Sequence, residues 1–112
     1  VQLGLGMGPS EDLALAGAVL RIRERSGERS VPIGMREFSI GRVFGNSLVM
    51  GRANFSKCHC LLRFQAGHFW VSDTKSTGGS YLNGQGLREP TRMGPMDELQ
   101  LGDARFQLVF PS

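Results

Sequence analysis

The run Cys58-His59-Cys60-Leu61-Leu62-Arg63-Phe64, the short Gln65-Ala66-Gly67 and then His68-Phe69-Trp70-Val71-Ser72-Asp73 decide the fold. Apolar and polar side chains trade places along both long runs, the two-residue period of a strand with one face in a core. The glycine-bearing trio between them reads as a hairpin. Trp70, beside Phe69 and Val71, is expected in the core with one neighbour facing out. Working outward, Leu20-Arg21-Ile22-Arg23 and Glu37-Phe38-Ser39-Ile40-Gly41-Arg42 repeat the alternation, and Ser47 to Met50 is a shorter candidate. Between the first two, Ser26-Gly27 and Pro32 are expected to punctuate a loop. Ser80-Tyr81-Leu82 runs into Asn83-Gly84, a strong hairpin signal because both positions tolerate positive φ. Arg105 to Phe110 supplies a last strand. No stretch has the period of a long amphipathic helix, and sixteen glycines serve turns, so the chain reads as an all-β sandwich.

At 112 residues and 40% hydrophobic content the chain fits one domain. The lead-in, residues 1–13, carries Gly4, Gly6, Gly8 and Pro9 and is expected to be flexible, leaving 14–112 as the folded unit. The longest apolar run, Leu13 to Leu20, is eight residues, against about 20 for a membrane span; no secretory signal is visible. The two cysteines, Cys58 and Cys60, would share a face if they lay on one strand, a poor geometry for bonding to each other. This suits a reducing, intracellular compartment. Between Arg36 and Lys75 six basic residues face two acidic ones, against seven and eight elsewhere. A positive patch of that size suits one anionic group better than a nucleic-acid duplex.

Three segments in order, Gly41-Arg42, Ser56-Lys57-Cys58-His59 and Ser76-Thr77-Gly78-Gly79-Ser80-Tyr81-Leu82-Asn83-Gly84, together resemble the forkhead-associated (FHA) domain. Leu99-Gln100-Leu101-Gly102-Asp103 is similar to the family's closing turn. The resemblance implies an FHA-like β-sandwich of two antiparallel sheets, with eleven strands, whose loops at one end bind phosphothreonine peptides. It implies that Arg42 binds the phosphate, that Ser56 donates its hydroxyl to it, and that Lys57 and Thr77 add contacts. It also implies that His59 braces the binding loops from inside, with Gly41, Gly79 and Asn83 as further structural support. The chemistry fits: a phosphothreonine brings about −1.5 to −2 charge and three acceptor oxygens, which an arginine fork, a hydroxyl and an ammonium can meet. One position departs from the family pattern. Gly78 falls at a phosphopeptide-binding position where an Asn usually bonds the peptide main chain, which puts peptide selectivity in question. The Asp73-to-Ser76 lead-in and the stretch after Leu87 are similar to the branch found in fungal checkpoint ubiquitin ligases that also carry a RING.

Other chemistries fare worse. Ser56, His59 and Asp73 lack a G-x-S-x-G elbow, so no catalytic triad is expected and the domain is read as non-enzymatic. Cys58, His59, Cys60 and His68 lack the spacing of a structural zinc site, so no metal or cofactor is expected; alternate cysteines are read as small core residues. The expectation is a phosphothreonine-dependent protein–protein interaction module, in the nucleus or cytoplasm, recruiting its parent protein to kinase-marked partners. Neither membrane nor nucleic acid is an expected partner. The alternative is a degenerate sandwich that pairs with protein surfaces independently of phosphate, and Gly78 is the residue that feeds it.

Overall fold

The computed structural model describes residue 15 and residues 17–110; the lead-in expected over residues 1–13 lies outside them. Eleven strands are found among the described residues: β1 Val19–Glu24, β2 Gly27–Pro32, β3 Glu37–Gly41, β4 Leu48–Val49, β5 Cys60–Gln65, β6 His68–Asp73, β7 Ser80–Leu82, β8 Gln85–Gly86, β9 Thr91–Met93, β10 Leu99–Leu101 and β11 Ala104–Val109. They form a six-stranded sheet in the order β2-β1-β11-β10-β7-β8 and a five-stranded sheet in the order β4-β3-β5-β6-β9. All pairings are antiparallel except the short parallel one between β3 and β4. No helix among the described residues is long and apolar enough to cross a membrane.

Period-two alternation turns one face of each sheet inward, and the register stacks the inward residues. Leu20 pairs with Leu108, Ile22 with Phe106, and Phe106 with Leu99 in one sheet. Phe38 pairs with Leu62, Leu62 with Val71 and Phe64 with Phe69 in the other. All of these are buried, each contributing about 1.5–3 kcal/mol by leaving water. Two hairpins turn through residues with positive φ, Ala66 (53°) with Gly67 (78°) and Asn83 (52°) with Gly84 (85°). This pattern matches the right-handed twist of the strands they join.

Three expectations need correction. Ser26 to Pro32 is not a loop: Gly27–Pro32 is an edge strand paired with β1 along its length. Its side chains are mostly exposed, so it carries no alternation; the backbone ladder holds it to β1, with Arg21–Glu28 and Glu24–Arg29 ion pairs between the two strands. Pro32, which has no N–H to give, sits at its end. Trp70 is not core. Phe69 and Val71 point in, while Trp70 is half-buried on the outer face, where the register sets it between Arg63 and Arg92. Cys58 lies before β5 and is exposed; Cys60 alone is a core residue.

Candidate functional site

Three connections meet where β3 and β6 end and where β5 and β7 begin: β3–β4, β4–β5 and β6–β7. Gly41 explains how the first two come so close. A Cβ there would lie 2.3 Å from the Lys57 carbonyl oxygen, 2.7 Å from Asn46 Nδ2 and 2.9 Å from Cys58 Cα. Only glycine admits that approach. The Asn46 amide closes the seam by donating to the carbonyls of Val43 and Lys57, 2.8 Å each.

Arg42 and Ser56 are then joined through the backbone, the Arg42 N–H donating to the Ser56 carbonyl at 2.9 Å. The guanidinium is held by one of its donors, Nε giving to the Phe55 carbonyl at 3.0 Å. That fixes the plane and leaves the terminal nitrogens for another acceptor. Ser56 Oγ accepts from the Thr77 N–H at 2.9 Å, which orients the hydroxyl and leaves its proton to donate.

His59, buried beneath these loops, ties them together. Its Nδ1 faces the Ser56 N–H at 3.1 Å and its Nε2 faces the Gly79 carbonyl at 2.8 Å. An amide N–H can only donate and a carbonyl only accept, so the ring is held with its proton on Nε2. Both nitrogens are thereby committed to backbone, and neither can take the Ser56 hydroxyl proton as a catalytic base would. The Phe55 ring packs edge-on against the imidazole at 5.6 Å.

A second set of bonds shapes the β6–β7 connection. Asp73 accepts from the Ser76 N–H at 3.0 Å, the Ser80 hydroxyl at 2.6 Å and the Ser76 hydroxyl. Burial works against its ionisation, but these bonds outweigh it and hold the carboxyl below its ordinary range. Thr74 donates from Oγ1 to the Cys58 carbonyl and from its N–H to the His59 carbonyl. Gly79 has φ +80°, and its carbonyl is the one His59 holds.

The result is a cavity of about 680 Å³, open to solvent, lined by Arg42, Ser56, Lys57, Thr77 and Gly78 among others. The five residues read as binding residues thus come together. Gly41, His59 and Gly79 lie directly beneath them. Asn83 does not: β7 carries it to the other end of the sandwich, where it bonds Asp97 and Glu98. It supports the connection between β9 and β10, not the binding loops.

Two residues escaped the sequence reading. Lys75 also lines the cavity, from a backbone position with φ 60°. Phe44, 97% exposed, stands two residues after Arg42 in the β3–β4 connection. An aromatic residue between Val43 and Gly45 was the one signal available for it; Lys75 was counted in the basic middle of the chain but not read as a site residue. Among the described residues, no group of three His, Cys, Asp or Glu side chains is placed to hold a metal.

The sequence profile of the FHA domain matches residues 38–102, more than half of the 112. No curated protein matches. Among solved structures, EmbR of Mycobacterium tuberculosis in complex with a low affinity phosphopeptide is 20% identical with a TM-score of 0.75. That match covers 84% of this chain and 25% of EmbR, so this chain corresponds to about a quarter of that protein. The FhaA FHA domain complexed with the intracellular domain of Rv3910 is 20% identical with a TM-score of 0.73, covering 82% of this chain and 99% of that one. The FHA domain of the CT664 protein of Chlamydia trachomatis is 16% identical with a TM-score of 0.72, covering 85% and 98%.

Proposed function

The chain belongs to the FHA domain family, and from that premise we propose that it binds phosphothreonine in a partner protein and recruits its parent protein to kinase-marked sites inside the cell. One observation carries the reading: a guanidinium with its terminal nitrogens free, a hydroxyl with its proton free and a neighbouring ammonium converge on one open cavity. Arg42 takes two phosphate oxygens as a fork, Ser56 donates to one, and Lys57 adds a point charge. The Thr77 side chain and the backbone at Gly78 meet the peptide. The phosphopeptide complex of EmbR, a structure of the same fold, supports the reading.

The experiment is a titration of the domain against phosphothreonine, phosphoserine and unphosphorylated forms of a peptide library, repeated with Arg42→Ala. Charge-assisted bonds of about 1.5–3 kcal/mol predict a loss of roughly ten- to a hundredfold in the variant. Binding that survives Arg42→Ala and ignores phosphorylation would overturn the proposal in favour of a phosphate-independent scaffold.

A further inference from the structure

Of the thirteen Lys and Arg side chains, six are held by carboxylates among the described residues, and three of the others share one site. Arg21, Arg23, Arg29, Arg52, Arg63 and Arg105 each stand 2.7–3.4 Å from a carboxylate oxygen. Arg42, Lys57 and Lys75 have no such partner among the described residues, and all three line the same cavity, whose lining includes no Asp or Glu. Like charges gathered without counter-charge repel one another and hold the site at a positive potential until an anion enters.

One phosphothreonine neutralises only part of this. At neutral pH it brings about −1.5 to −2 against three positive charges, so about one remains. The three cations also divide by origin. Arg42, Ser56 and Lys57 belong to segments bonded to each other through the backbone, whereas Lys75 enters from the β6–β7 connection beside Thr77 and Gly78. Its φ of 60° is a conformation that side chains other than Asn and Asp rarely adopt and that glycine would take without strain. Next to it the cavity has room. A Cβ added at Gly78 would meet nothing within 4 Å, so a ligand group can lie against that backbone.

Resting on the phosphothreonine reading, we infer that the preferred ligand carries a second anion close to the phosphothreonine, and that Lys75 binds it. The second group is an Asp or Glu carboxylate or a second phosphate, two sources of the same chemistry.

The test is calorimetric titration of the protein with one phosphothreonine peptide in several forms: as it stands, with Asp moved through the flanking positions, and with phosphoserine there instead. The expected result is about 1.5- to fivefold tighter binding for the best doubly anionic peptide, the range of an exposed ion pair. Lys75→Gly, which suits the backbone at that position, should remove the gain, so that the variant binds the singly and doubly anionic peptides equally well whatever its affinity for the former. Lys75→Arg should restore it. A gain from both added groups, or from one, supports the inference and identifies the source. No gain from either, with the simple phosphopeptide still bound, overturns it and leaves the phosphothreonine reading standing. A gain that persists in Lys75→Gly overturns the assignment to Lys75. If wild-type protein binds no phosphopeptide, the underlying reading fails first.

Discussion

Removing His59 tests the idea that one buried ring holds both sides of the binding site. In His59→Ala the Ser56 N–H and the Gly79 carbonyl lose bonds of 3.1 and 2.8 Å. A buried polar group left without a partner costs about 1–3 kcal/mol; both groups are only half-buried, which puts each near the lower half of that range. Losing the edge contact with Phe55 adds about 0.5–1.5 kcal/mol. The sum is roughly 3–5 kcal/mol, a large part of the ~5–15 kcal/mol that holds a domain of this kind. Urea unfolding followed by fluorescence should show a lower midpoint at an unchanged slope. Phosphopeptide affinity, measured where the variant is still folded, should also fall, because Ser56 and Gly79 belong to different loops and lose their common anchor. His59→Asn gives a graded control. Its side-chain oxygen can stand in for Nδ1 as acceptor but cannot reach Gly79, so about half the loss should return. A cost below about 1 kcal/mol with unchanged affinity would refute the bridge. Equal losses for Asn and Ala would refute the division of labour between the two nitrogens.

Gly78→Asn should strengthen phosphopeptide binding by about two- to tenfold, one restored hydrogen bond of about 0.5–1.5 kcal/mol. The position has open space for the new side chain, and unchanged affinity in a titration would show that the peptide main chain does not pass it. Asp73 predicts a pH dependence. Its folded carboxyl sits below the ordinary value of 3.8, so its contribution is full above that pH and is lost as pH falls through the lower folded value. Urea midpoints measured from neutral pH downward should fall steeply below about pH 4 and less steeply in Asp73→Asn; identical slopes would remove Asp73 from the account.

The legibility of this protein in its sequence followed burial. The β6 strand was readable to the residue because Phe69 and Val71 go in between the polar His68 and Ser72. The outward Trp70 defeated the same rule, since bulky apolar side chains in a row give no phase. The β2 strand was invisible because an exposed edge strand needs backbone partners but no hydrophobic signal. Short β9 and β10 offered too few residues for a period. At the site, Arg42, Ser56, Lys57, Thr77 and Gly78 were legible because each sits in a motif whose order survives folding. Asn83 shares that motif, yet three residues of β7 carry it to the far end. Lys75 was missed because what brings it to the cavity is the path of the loop, which spacing does not encode.

The two thiols, finally, give the molecule a built-in pair of chemical handles. Cys58 is exposed on the wall of the cavity, while burial pushes the Cys60 thiol up to about 12, leaving almost no thiolate to react. An alkylating dye should therefore attach once to the native protein, at the rim where a ligand would enter. The second attachment must wait for the sandwich to open. Its rate is a clock for that opening, readable without denaturant and from a few micrograms of protein.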